Sequence, residues 1–170
     1  NGTVLDLSLK YIGDDGVRYL AQAEELRGLR ELNLERNEIT AAGIRALAES
    51  KMIMGLISLS LERNDIGDAG AKSIAQSGNF SRLESLNLWK NQIGPEGARA
   101  IANSLYFSSL THLDLAQNRI GDAGAKALAE SQILTDLQYL DVFGNGIGAE
   151  SQKVLKASPK FARTRHLVVG

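Results

Sequence analysis

LTHLDLAQNRIGDAGAKALA, residues 110–129, carries two different periodicities side by side. Leu110, Leu113 and Leu115 close on a spacing of two, the beat of a strand with one face turned inward. From Gly124 onward the apolar residues Ala125, Leu128 and Ala129 recur three and four apart, with Lys126 and Glu130 on the other side, which is an amphipathic helix. Stepping outward by 27 residues in either direction meets the same arrangement again. Asn37, Asn64, Asn91, Asn118 and Asn145 keep that spacing without a slip, as do Leu29, Leu56, Leu83, Leu110 and Leu137. Gly16, Gly43, Gly70, Gly97 and Gly124 follow the same beat until Ser151 interrupts it.

The units run 2–28, 29–55, 56–82, 83–109, 110–136 and 137–163, and residues 164–170 open a seventh, with Leu167 and Val169 in its strand positions. Each is a strand, a turn and a helix. Thr40 is a natural helix cap, Pro95 suits a first helical turn, and Asp14, Asp68 and Asp122 favour the positive end of a helix. One unit cannot bury its apolar face alone, so neighbours stack. Strands that each return through a helix lie parallel. Strands stack about 4.8 Å apart whereas packed helices need about 8–10 Å, so the sheet bends inward. The expected fold is α/β: one solenoid over residues 1–170, with a parallel sheet on the concave face and helices on the convex face.

Composition narrows the function. Nineteen basic residues against twenty acidic ones leave a net charge of -1, so no global field favours nucleic acid or an anionic membrane. The absence of cysteine excludes a disulfide framework and thiol catalysis. No apolar run approaches the roughly 20 residues that span a bilayer, and the first residues lack the basic-then-apolar order of a signal peptide. Membrane insertion is therefore not expected. The opening at Asn1 and the interrupted unit at Gly170 favour a fragment of a longer protein.

The pattern LxxLxLxxNxIGxxGxxxLA, read from Leu110 through Asn118, Ile120, Gly121 and Gly124 to Leu128 and Ala129, resembles the ribonuclease-inhibitor subclass of leucine-rich repeats. The resemblance covers nearly the whole chain. That subclass includes ribonuclease inhibitor, the sensor domains of nucleotide-binding immune receptors, activators of the Ran GTPase, and bacterial proteins including secreted effectors. The resemblance implies an asparagine ladder at Asn37, Asn64, Asn91, Asn118 and Asn145, each amide satisfying backbone groups of the turn that leaves the sheet. Lys10 holds that slot in the first unit. The uniform 27-residue period and the lack of cysteine depart from the 28- and 29-residue units common in the subclass, and fit a bacterial or recently duplicated protein better than ribonuclease inhibitor itself. A cytoplasmic location is favoured, that of a host cell if the chain is a secreted effector.

In LxxLxLxxN the leucines point inward, which leaves the third, fifth, seventh and eighth slots, on the sheet and at its exit, for a partner. The fifth is small and polar throughout, from Asp6 and Asn33 to Asp114 and Asp141. Toward the N-terminal half Glu35 and Glu62 stand beside Arg36 and Arg63, either a mutually neutralised surface or a steering field for positive charge. Toward the C-terminal half the seventh slot lines up Trp89, Ala116 and Phe143, a notch between two aromatics, with Tyr139 and His112 nearby. Exposed tryptophan and tyrosine commonly anchor interfaces, and a partner-binding hot spot is one reading of this patch. Cover of Phe143 and Tyr139 by the seventh unit or by a lost C-terminal cap, with Trp89 packed on Lys90 or Gln117, is the other.

No catalytic, cofactor or metal site is expected. His112, Asp114 and Asp141 share a face, but a single histidine on an open sheet has neither the ligands nor the walls such chemistry needs. The glycines never form a phosphate-binding loop. His166 falls in the frayed start of the seventh unit. Six acids in the concave slots (Asp6, Glu31, Glu35, Glu62, Asp114, Asp141) outnumber three bases (Arg36, Arg63, Lys90), which disfavours nucleic acid. The sequence thus points to a non-enzymatic module that binds a protein or peptide. Its alternatives are a regulator of a small GTPase and an architectural segment of a larger sensor or effector.

Overall fold

The computed structural model describes residues 2–170. Seven short strands, β1 (Val4–Asp6), β2 (Glu31–Asn33), β3 (Ser58–Ser60), β4 (Ser85–Asn87), β5 (His112–Asp114), β6 (Tyr139–Asp141) and β7 (His166–Val168), form one open sheet in sequential order. Six helices alternate with them: α1 (Gly13–Leu20), α2 (Ala41–Ala48), α3 (Gly67–Ala75), α4 (Pro95–Ala102), α5 (Gly121–Ala129) and α6 (Ala149–Ala157). Every ladder is parallel and every register step is one repeat, so Leu32 faces Leu59 and Leu59 faces Leu86. The leucines therefore stack leucine on leucine, and a continuous core runs from Val17 to Val169. His166 lies within β7, opposite Tyr139, which corrects its reading as part of a frayed segment.

The turn that leaves the sheet explains the asparagines. The Oδ1 of Asn64 accepts from the N–H groups of Asn37 and Ile39 in the unit before, while its Nδ2 donates to the carbonyls of Leu34 and Leu61. Asn118 does the same for Asn91, Ile93, Leu88 and Leu115. One side chain thus ties two units. Asn37 extends the series to the N–H groups of Lys10 and Ile12. The exception is the Oδ1 of Asn91, which is buried and meets no donor among the described residues.

A second ladder runs along the helix ends, and the sequence reading did not find it. Ser50, Ser77, Ser104, Ser131 and Ser158 each donate a hydroxyl to a carbonyl at the end of the preceding unit's helix, Ala21, Ala48, Ala75, Ala102 and Ala129, at 2.6–2.7 Å. The same oxygens accept N–H groups of the chain that turns back toward the sheet, as Ser131 does from Ile133 and Leu134. Three residues after each serine a large apolar side chain, Ile53, Phe80, Phe107, Leu134 or Phe161, fills the space beneath that turn.

The identical 27-residue spacing conceals an alternation. In the first, third and fifth units the helix opens on a glycine in the left-handed region, Gly13, Gly67 or Gly121 at φ 56–59°, a conformation that favours a residue without Cβ. In the second, fourth and sixth it opens after an extended residue, Thr40, Gly94 or Gly148. Asp14, Asp68 and Asp122 lie in the first turns of their own helices. Their carboxylates, however, reach across to the next unit. Asp68 Oδ1 accepts from Gly94 and Gly97 at 2.7 and 2.8 Å, and Asp14 accepts from Thr40 and Gly43. Asp122 accepts the Gly148 N–H, and with the Ser151 hydroxyl and that N–H its carboxyl is held below the usual carboxylate range. The serine that breaks the glycine series thus lies beside the capping aspartate.

Candidate binding surface

The concave face is built from strand alternation: between inward leucines the third, fifth and seventh slots of every unit project together. The fifth slot has structural work of its own. The carboxylate or amide oxygens of Asp6, Asn33, Asn87, Asp114 and Asp141 each accept the N–H two residues on, at 2.8–3.0 Å, turning the chain out of the sheet. These are Asx turns.

The eighth slot lies at the exit of the sheet. Arg36, Arg63, Lys90 and Gln117 all adopt φ of 52–56°, so the chain has left the plane of the sheet when it reaches them. With Tyr11, Gln92 and Arg119 they line a groove of about 570 Å³ along the exit rim. Arg36 and Arg63 accordingly belong to the rim and not to the floor of the concave face. Each pairs with the glutamate beside it, Glu35 at 3.5 Å and Glu62 at 3.8 Å, and Glu62 also accepts from Asn87 Nδ2. Each glutamate's charge is matched by an adjacent arginine, and both pairs remain partly exposed.

The aromatic residues fall into two columns. In the third slot the rings of His112 and Tyr139 stack at 6.1 Å and 15°, and Tyr139 meets His166 at 6.3 Å and 46°. In the seventh slot Trp89 and Phe143 flank Ala116, which is almost completely buried and floors the gap between them. Trp89 is half-buried beneath the guanidinium of Arg63, 4.5 Å from its ring centroid, with Lys90 Nζ at 6.0 Å. Phe143 keeps 49% of its surface in water even with β7 in place. The seventh unit covers part of Tyr139 through His166 but does not cover Phe143.

Between the two columns lie Asp114 and Asp141, opposite each other in the register of β5 and β6. Burial raises the Asp114 carboxyl to about 6, against the Ala116 N–H that favours its ionised form, and Asp141 and Glu62 raise it further. Burial and the same two aspartates raise the Tyr139 hydroxyl, which donates to Asp141 Oδ2 at 3.3 Å. A carboxyl whose folded pKa is raised opposes folding when ionised. The penalty is complete above about pH 6 and disappears as pH falls toward the unfolded value of 3.8. Asp6 and Asp122, held low, act in the opposite sense: they stabilise the fold above the ordinary carboxylate value of 3.8, and that contribution is lost as pH falls below it. Asp114→Asn keeps the turn, since Asn33 and Asn87 make the same bond. The variant is therefore expected to melt higher than wild type at pH 7.5, and thermal melts should show this advantage shrinking between pH 7 and pH 4.

Among the described residues no group of three or more His, Asp and Glu side chains is placed to hold a metal ion. No helix of the described residues is long and apolar enough to cross a membrane. Five segments, 27–48, 56–75, 82–102, 108–129 and 134–151, match the family model described as Leucine Rich repeat, and together they make up more than half of the chain. No curated protein matches the chain at a significant level.

Proposed function

Because the chain belongs to the leucine-rich repeat family, whose repeats generally serve protein–protein interaction, we propose that its concave face receives a protein or peptide partner. The observation that carries this reading is Phe143. A large ring left half in water beside a notch floored by Ala116, with Tyr139, His112 and Trp89 around it, has the composition of an interface anchor. Residues 1–170 act as one solenoid in this reading, of the ribonuclease-inhibitor-like kind, and its continuous core from Val17 to Val169 supports that. The role is non-enzymatic. An open sheet offers no enclosure from which water would be excluded around a reacting group. Asn37, Asn64, Asn91, Asn118 and Asn145 serve the scaffold.

The test compares capture from a cell lysate by wild type, by the concave double variant Trp89→Ala, Phe143→Ala, and by a helical-side control, Tyr19→Ala, Val154→Ala, all shown to be folded by circular dichroism. Both control residues are more than half exposed. A partner should be retained by wild type and the control and fall at least about tenfold with the concave variant, as loss of hot-spot residues does. Equal retention by all three would place the interaction elsewhere.

A further inference from the structure

The rim already shows how this face treats a cation. Arg63 lies with its guanidinium on the Trp89 ring and its Nε toward Glu62, a carboxylate and an aromatic plane around one positive group. Two units further on, the same ingredients recur without the cation. Asp114 and Asp141 sit side by side, and each spends its Oδ1 on the turn N–H. The Oδ2 of Asp141 receives only the Tyr139 hydroxyl, and that of Asp114 receives no hydrogen bond among the described residues. Neither aspartate forms an ion pair there, while Glu35 and Glu62 are taken by Arg36 and Arg63. The stacked rings of His112 and Tyr139 wall this pair on one side and Phe143 stands on the other.

We propose that the trough floored by Asp114 and Asp141 receives an arginine side chain of the partner, its guanidinium on the two carboxylates and its plane against Tyr139 or Phe143. This rests on the concave-face reading and specifies what that face recognises. Arginine fits better than lysine because a planar fork can reach two carboxylates and stack at once, whereas an ammonium is a compact, strongly hydrated point charge. The Asp114 carboxyl is raised first by burial and then by the neighbouring Asp141 and Glu62, so a cation placed on the pair would favour its ionised form.

The experiment is a nuclear magnetic resonance titration of the full chain with the capped peptide Gly-Arg-Gly-Arg-Gly and its neutral isostere, in which citrulline replaces arginine. The amide N–H groups of Ala116 and Phe143 are the reporters, since they are bonded to the two aspartates. The arginine peptide should shift both, and the citrulline peptide should bind at least about tenfold more weakly. The shifts should vanish in Asp114→Asn, Asp141→Asn, a variant that keeps both turns. Equal shifts from the two peptides, shifts that survive the double substitution, shifts confined to the Glu35 and Glu62 region, or no shift at all would each overturn the proposal. Loss of partner capture by the Trp89, Phe143 variant together with a silent titration would leave the concave-face reading standing and remove only the arginine.

Discussion

Replacing Asn118 with alanine is expected to destabilise the chain by about 3–5 kcal/mol, because three buried backbone groups lose their only partner and each costs roughly 1–3 kcal/mol. They are the N–H groups of Asn91 and Ile93, which donate to Asn118 Oδ1, and the carbonyl of Leu88, which accepts from its Nδ2. The carbonyls of Leu115 and Ala116 keep other donors, Asn145 Nδ2 and the Lys90 N–H. The loss falls on the join between the fourth and fifth units and not within one of them. Urea denaturation followed by circular dichroism measures it, and a change below about 1 kcal/mol would show that water readily replaces the amide.

Phe107→Ala is expected to cost about 3–5 kcal/mol, the range for removing a fully buried phenylalanine. Phe107 is completely buried in the repeating column under the helix-to-strand turns, with Phe80 in the unit before and Leu134 in the unit after. Ser104 anchors the turn above it through the Ala75 carbonyl and the Tyr106 N–H, so the cavity cannot close by collapse of that loop. Thermal melting should show the deficit, and Phe107→Leu should recover more than half of it because most of the volume returns. Recovery by leucine no better than alanine would mean that ring shape, and not volume, sets the packing there.

The fold was legible because its signal is in phase with itself: one leucine pattern, repeated at a constant step, admits only parallel stacking in register. The alternation between odd and even units was not legible. Gly67 and Gly121 occupy the slot of Thr40 and Gly94, and only the backbone shows that the former are left-handed and the latter extended. The serine ladder kept the same 27-residue beat, but serine at a helix end is so ordinary that nothing marked its hydroxyl as a link between units. Strand alternation placed the third, fifth and seventh slots correctly on the concave face. It does not describe the eighth, at the exit of the sheet, where positive φ turns Arg36, Arg63 and Lys90 onto the rim. The Arg63 contact with Trp89 joins different slots of neighbouring units, which no periodicity along one slot reveals.

The chain has a single tryptophan, and it lies on the proposed binding face. Replacing it biosynthetically with 5-fluorotryptophan therefore places one fluorine reporter at Trp89. With a captured partner added unlabelled, and the complex verified by its size-exclusion mass, the account predicts that this one resonance shifts or broadens in proportion to the bound fraction. A complex of verified mass whose fluorine line stays where it was in the free chain would contradict binding through the aromatic patch of the concave face.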